Sequence, residues 1–400
     1  MNYDDIIFDE AGEETSEQLA VNPNRIGQAV IWGTDWTTET INSQMLKGNI
    51  DLAPAFQRRD AWNNQEKSCL IESLMLGIPV PPIILAENKL KKNTYIVIDG
   101  KQRLLSIRRF YAENNTDETN CDSFKPLKLS GLTVLKQFNG KTKSQIDGEY
   151  ITNLENQAIR TVIIKNWPDE AFLYTVFLRL NTGSKKLSPQ ELRQALKPGK
   201  FLSYLDDATA DSQIIRKMLR TKTADPRMRD VELALRYYAF KYFITNFDGN
   251  LKNFLDYTCE SLNKDWVQHA EKYKKDFLEL ENAIQFSYEL MNNDSPFSRY
   301  SEEESSNRFN RSIYELFCYY FSSGNMRAAV KEKSNDFLAL FKELNNNPDF
   351  ISAVSDTTKS PIKVVTRFSL FAKLLSNFYN GEIQTLYLND NKICIKALGE

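Results

Sequence analysis

Asp99-Gly100-Lys101-Gln102-Arg103 is the stretch of this chain whose residue types and spacing best suit chemistry. It follows an apolar run at 95–98 that reads as a strand. It precedes a helical pattern that puts Leu104, Ile107 and Tyr111 on one face. A helix N-terminus presents N–H groups that have no intrahelical acceptor, together with partial positive charge. Gly100 permits a tight turn and the close approach of an anion. Lys101 and Arg103 add charge, and a guanidinium can hold a phosphate through two parallel hydrogen bonds. Asp99 can hold a magnesium ion or cap the helix, and Gln102 can orient a water molecule. The sum is a small polyphosphate site. An ordinary Asp-Gly turn with a capping carboxylate has the same spacing, and the bare pattern favours that plainer reading.

A second basic element lies upstream. In Phe56-Gln57-Arg58-Arg59, with Trp62 shortly after, Gln57 and Arg58 can reach a nucleotide while Phe56 or Trp62 packs. A solvated arginine pair beside two core aromatics is the competing reading.

These residues need a scaffold, and the surrounding pattern supplies one. Residues 29–32 are apolar enough for a short strand. Thr37 and Thr38 can cap a helix carrying Ile41, Met45 and Leu46. A second helix is expected over 65–76, capped by Asn63 or Asn64 and closed by Gly77 ahead of Pro79. Strands are expected at 83–86, 95–98, 127–129 and 161–164. This alternation argues one compact domain over 25–166. After Pro168 the chain reads as helical, with Phe172, Val176, Phe177 and Leu180 as a buried stripe. Ser188-Pro189-Gln190-Glu191 has the form of a capping box. Helical periodicity returns at 229–247, 251–262, 270–292, 311–322 and 333–345, and residues 384–395 alternate around Asn389-Asp390-Asn391 like a hairpin. The fold class is therefore α+β, with an α/β domain first and a mainly helical domain over 167–400.

Composition narrows the chemistry further. The chain has 400 residues, 42% hydrophobic and 26% charged, enough for a real core without disulfide or metal staples. No apolar run approaches the roughly 20 residues a membrane helix needs. The acidic start, MNYDDIIFDE, argues against a secretory signal, so a cytosolic protein is expected. The single histidine, His269, excludes an HNH nuclease, an HD phosphohydrolase and a His-rich zinc site. Cys69, Cys121, Cys259, Cys318 and Cys394 lie far apart, with no CxxC pair, and read as buried thiols. Residues 1–24 hold seven acids and no Lys or Arg, and read as a disordered tail. The remainder carries 51 basic against 46 acidic groups, a net of +5. Lys185, Lys186, Arg216, Lys217, Arg220 and Lys222 are candidate DNA phosphate contacts, although solvated helix faces explain them as well. Aromatics at 237–243 read as core. The triplet Glu87-Asn88-Lys89, with Asp60 upstream, has nuclease-like spacing, but such triplets are common in a charged chain.

Several of these segments, in order, resemble the N-terminal domain of GmrSD-type restriction systems, the DGQQR-motif family with a ParB/sulfiredoxin-like fold. Residues 50–58, Ile-Asp-Leu-Ala-Pro-Ala-Phe-Gln-Arg, are similar to its I-x-L-x-P-x-F/Y-Q-R segment, with Trp62 in place. Residues 71–79, Ile-Glu-Ser-Leu-Met-Leu-Gly-Ile-Pro, are similar to its IES-x-L-x-GIP helix and turn. Residues 98–103 resemble the signature loop, and the likeness continues through Leu180-Asn181-Thr182-Gly183, Leu187-Ser188, Glu191-Leu192-Arg193 and 228–232. The resemblance implies nucleotide binding and magnesium-dependent NTP hydrolysis at the DGQQR loop, coupled to a nuclease in defence against phage. On it, Asp99, Gln102 and Arg103 are the catalytic set, with Asp99 on the metal. Gln57, Arg58, Gly100, Lys101 and Arg103 hold the nucleotide. ParB relatives bind CTP and sulfiredoxin relatives ATP, so the base stays open. Two departures stand out. Lys101 occupies the place of the first glutamine, which puts hydrolysis in question. One histidine leaves no HNH domain, so the expected partner is a separate nuclease or effector. A non-enzymatic DNA- or protein-binding module is the alternative.

Overall fold

In a computed structural model, residues 29–50, 62–89, 91–112, 125–180, 188–293, 295–299, 308–355 and 360–399 are described. The acidic segment 1–24 lies outside them. The chain divides into two compact units, with the boundary between Leu196 and Lys197.

In the first unit, β1 (Val30–Thr37) leads into α1 (Thr38–Leu46), whose first turn is capped by the Thr37 hydroxyl accepting from the Thr40 N–H. α2 (Asn64–Met75) starts at Asn63 in a full capping box with Glu66. Gly77 then turns with φ +69°. β2 (Ile83–Glu87), β3 (Tyr95–Asp99), α3 (Lys101–Tyr111), α4 (Gly148–Asn156) and β4 (Ala158–Lys165) follow, then α5 (Glu170–Leu180) and α6 (Pro189–Leu196). The sheet order is β1-β4-β2-β3; β2 and β4 run parallel and the other two pairs antiparallel.

Period-two alternation sends successive side chains of a strand to opposite faces. Ile83 and Leu85 join a core with Ile41, Ile71, Leu74, Leu104, Ile107 and Phe110, which belong to α1, α2 and α3. Ile84 and Ala86 join the other core with Ile98, Ile164, Trp167, Phe172, Leu173 and Leu192. Because α5 and α6 cover this second face of the sheet, the unit runs to Leu196 rather than stopping at 166. Residues 127–129 form no strand. Leu127 and Leu129 are buried in a loop whose N–H groups bond Arg109 O and Lys141 O.

The second unit is helical: α7 (Lys200–Asp211), α8 (Gln213–Met218), α9 (Arg229–Phe243), α10 (Leu251–Met291), α11 (Arg311–Phe321), α12 (Gly324–Glu332), α13 (Ser334–Leu344), α14 (Pro348–Ser355) and α15 (Pro361–Leu375). α10 is one helix of 41 residues where two were expected, since 263–269 contain no Gly or Pro to break it. A hairpin of β5 (Gln384–Asn389) and β6 (Lys392–Ala397) closes the chain through Asp390 and Asn391, both at positive φ. Tyr237, Tyr238 and Phe240 are buried, as core aromatics should be, whereas Tyr242 and Phe243 are only half-buried.

Candidate nucleotide site at the DGKQR turn

β3 ends at Asp99 and α3 begins at Lys101, so the signature residues straddle a strand-to-helix turn. Gly100 is the N-cap, at φ +99°, and gives the helix no side-chain cap. A Cβ there would stand 3.2 Å from Ile83 Cγ1, so both the backbone angle and the space call for glycine. The Leu104 N–H closes the first helical bond to Gly100 O at 2.9 Å. The N–H groups of the first turn have no acceptor within the helix.

Arg103 lies one turn on. Its Nη2 donates to Asp99 Oδ2 at 2.9 Å and to Pro82 O at 3.0 Å. Its Nε is buried and meets no acceptor. A buried guanidinium N–H without a partner costs of order 1–3 kcal/mol. The Asp99 side chain stays 38% exposed and can still meet a ligand. Gln102 Oε1 accepts from the Trp62 N–H at 3.2 Å.

Lys101 stands elsewhere. Sequence spacing put its ammonium among the phosphate-binding charges. In the fold the side chain is 3% exposed, and Nζ bonds Glu191 Oε1 at 2.6 Å. Position N1 of α3 points this side chain under the turn, toward α6. Its charge is therefore committed to a buried ion pair. Glu191 also forms the capping box of α6: Oε2 accepts from the Ser188 N–H at 2.7 Å, and the Ser188 hydroxyl accepts from the Glu191 N–H at 3.1 Å. Gln57 and Arg58 lie outside the described residues, as do Phe56, Asp60, Lys185 and Lys186.

The remaining candidates have structural partners. Lys89 donates to Pro168 O and sits 3.8 Å from the centroid of the Trp167 ring, which removes it from a nuclease triplet. Arg216 donates to Asp211 O, Arg220 to Ser295 Oγ, and Lys217 lies over the Tyr288 ring. Among the described residues no three His, Cys, Asp or Glu side chains form a metal cage. Magnesium is commonly held by one or two carboxylates completed by phosphate oxygens and water, and the Asp99 side chain, bonded to Arg103, is 38% exposed.

Sequence reasoning passed over Glu191 as anything beyond a cap, and passed over Lys67. Lys67 is 2% exposed and donates to the Trp62 carbonyl. A lysine on the Leu70–Ile71 side of an amphipathic helix was the signal available.

Residues 40–196 match the family model for the GmrSD restriction endonuclease, N-terminal domain. This segment is a GmrSD-type N-terminal domain. The match ends at the residue where the first compact unit ends, so the GmrSD-type domain takes in α5 and α6 as well as the sheet. No curated protein and no solved structure matched the chain. Among the described residues no helix is long and apolar enough to cross a membrane.

Proposed function

We propose that the GmrSD-type domain binds a nucleoside triphosphate at the DGKQR turn and hydrolyses it. It would serve as the sensing or regulatory component of a restriction-type anti-phage system whose nuclease is a separate polypeptide. One observation carries this reading: the buried Arg103 Nε lacks an acceptor beside a helix N-terminus that has no side-chain cap. A phosphate oxygen would satisfy both. Arg103 and the first-turn N–H groups of α3 then compensate the phosphate charge; the family resemblance adds Gln57 as a hydrogen-bonding contact and Arg58 as a second cation. Asp99 would hold magnesium, which supplies further charge neutralisation when bound. Lys101 acts as a strut under the turn. Phosphoryl transfer depends chiefly on positioning and charge stabilisation, so such a site needs no histidine.

The test is phosphate release from ATP, CTP, GTP and UTP by the full chain, with magnesium, with and without DNA. Release from at least one, lost in Arg103→Ala, is expected. Silence toward all four would remove the hydrolytic reading.

A second reading has its own observation. Arg103 Nη2 is already paired with Asp99 and Pro82, so a ligand must compete for it. That arrangement suits a domain that binds a nucleotide, DNA or a protein without turnover. Tight nucleotide binding without phosphate release would select it. For DNA, salt-sensitive binding would be required.

A further inference from the structure

Lys67 lies in α2 just past the first turn, where the helix dipole disfavours a cation, and it is almost wholly buried. Its ammonium donates to the carbonyl of Trp62. The N–H of Trp62 donates in turn to Gln102 Oε1, in the first turn of α3. Trp62 is thus gripped on both sides: by a buried charge from α2 and by the side-chain amide of the signature turn. A backbone N–H can face only an acceptor, so this bond fixes which end of the Gln102 amide is oxygen. Nε2 is then the end of the amide that Trp62 does not use, and it can only donate.

We propose that Lys67 is a positioning residue of the DGKQR turn: through Trp62 it sets Gln102 so that Nε2 donates to a phosphate oxygen. Gln102 then binds the nucleotide; it does not orient an attacking water. The inference rests on the nucleotide reading above and deepens it by giving Gln102 one role and Lys67 another.

Binding of non-hydrolysable ATP, CTP, GTP and UTP analogues to the full chain tests it. Gln102→Glu keeps an acceptor for Trp62 and loses the donor. It is expected to raise Kd about thirtyfold, the worth of one charge-assisted hydrogen bond. Lys67→Met is expected to raise Kd about tenfold, with Lys67→Arg recovering most of the loss. Combined with Gln102→Glu it should weaken binding no further, because both act through one contact. If Lys67→Met binds as the wild type, or its loss multiplies with that of Gln102→Glu, the proposal is overturned. Should Lys67→Met fail to fold, Lys67→Gln takes its place in every arm.

Hydrogen exchange at the Trp62 amide separates this inference from the reading beneath it. If the wild type binds none of the analogues, the nucleotide reading falls, and the phosphate contact of Gln102 falls with it. Faster exchange at Trp62 in the Lys67 variant would still retain the positioning role. Unchanged protection there would remove that role too, whatever the nucleotide does.

Discussion

Lys101 carries its charge into the interior of the first unit, and Glu191 at 2.6 Å compensates for the water it loses. Removing one member of a buried pair leaves the other charged and unsatisfied, which costs more than the pair itself contributes. Lys101→Met is therefore expected to destabilise the chain by about 3–5 kcal/mol in urea denaturation. Lys101→Gln should cost less, since an amide N–H can still donate to Glu191. A Lys101→Met variant as stable as the wild type would show that the pair is not formed in solution. The direction of this side chain could not be read from the sequence. Residue types in the turn suggested a phosphate-binding role for Lys101, but the partner that draws it inward is 90 residues away. By contrast, the need for glycine at 100 was legible, because a strand running straight into a helix requires a residue at ease with positive φ.

At the scale of elements, α2 does more than cover the sheet. Ser68 and Glu72, one turn apart on it, hold the loop at 130–135. Ser68 Oγ accepts from the Ser130 N–H at 3.0 Å. Glu72 accepts from the N–H groups of Thr133, Val134 and Leu135 and from the Thr133 hydroxyl. Burial pushes the Glu72 carboxyl up, but the bonds from Leu135, Val134 and Thr133 outweigh it and hold the group below its ordinary value. A depressed carboxyl stabilises the fold above the unfolded-state pKa, and that stability is lost as pH falls through the folded one. Glu72→Gln is expected to cost about 2 kcal/mol near neutral pH. Its gap to the wild type should close as pH drops through and below the ordinary glutamate range. A gap constant from neutral to acid pH, read by urea midpoints, would contradict this. Local signals revealed most of the elements. Asn63, Ser188 and the Asp390-Asn391 turn carry their chemistry within four residues, and all appear as expected. The helix α10 was harder, because 263–269 lack an apolar stripe and suggested a break. Continuity there comes from the absence of any breaker.

Over the whole chain, the sequence separates an α/β part from a helical part by periodicity, but the division falls at 196. Apolar stripes on α5 and α6 do not announce which sheet face they will cover. The helical unit also buries an ionic cluster that periodicity could not show. Glu315 accepts from Arg236 at 2.9 Å and Arg367 at 2.7 Å, while Glu232 accepts from Arg236 at 2.8 Å. These side chains join α9, α11 and α15. Burial works against the Arg236 charge, but Glu232 and Glu315 overcome it and raise its pKa. For Arg367 burial prevails and lowers it. Glu315→Gln strips both arginines of a counter-charge and is expected to cost about 3–5 kcal/mol. A thermal melt matching the wild type would argue against a shared role for Glu315.

The central claim is that the turn between β3 and α3 grips a triphosphate with Arg103 and the helix N-terminus. Equilibrium titration of the full chain and of Arg103→Ala with nucleoside triphosphates and magnesium tests it most directly. The expected result is micromolar-range binding of at least one nucleotide by the wild type, weakened roughly tenfold to a hundredfold in the variant. Equal affinity in the two proteins, with both folded, would contradict it.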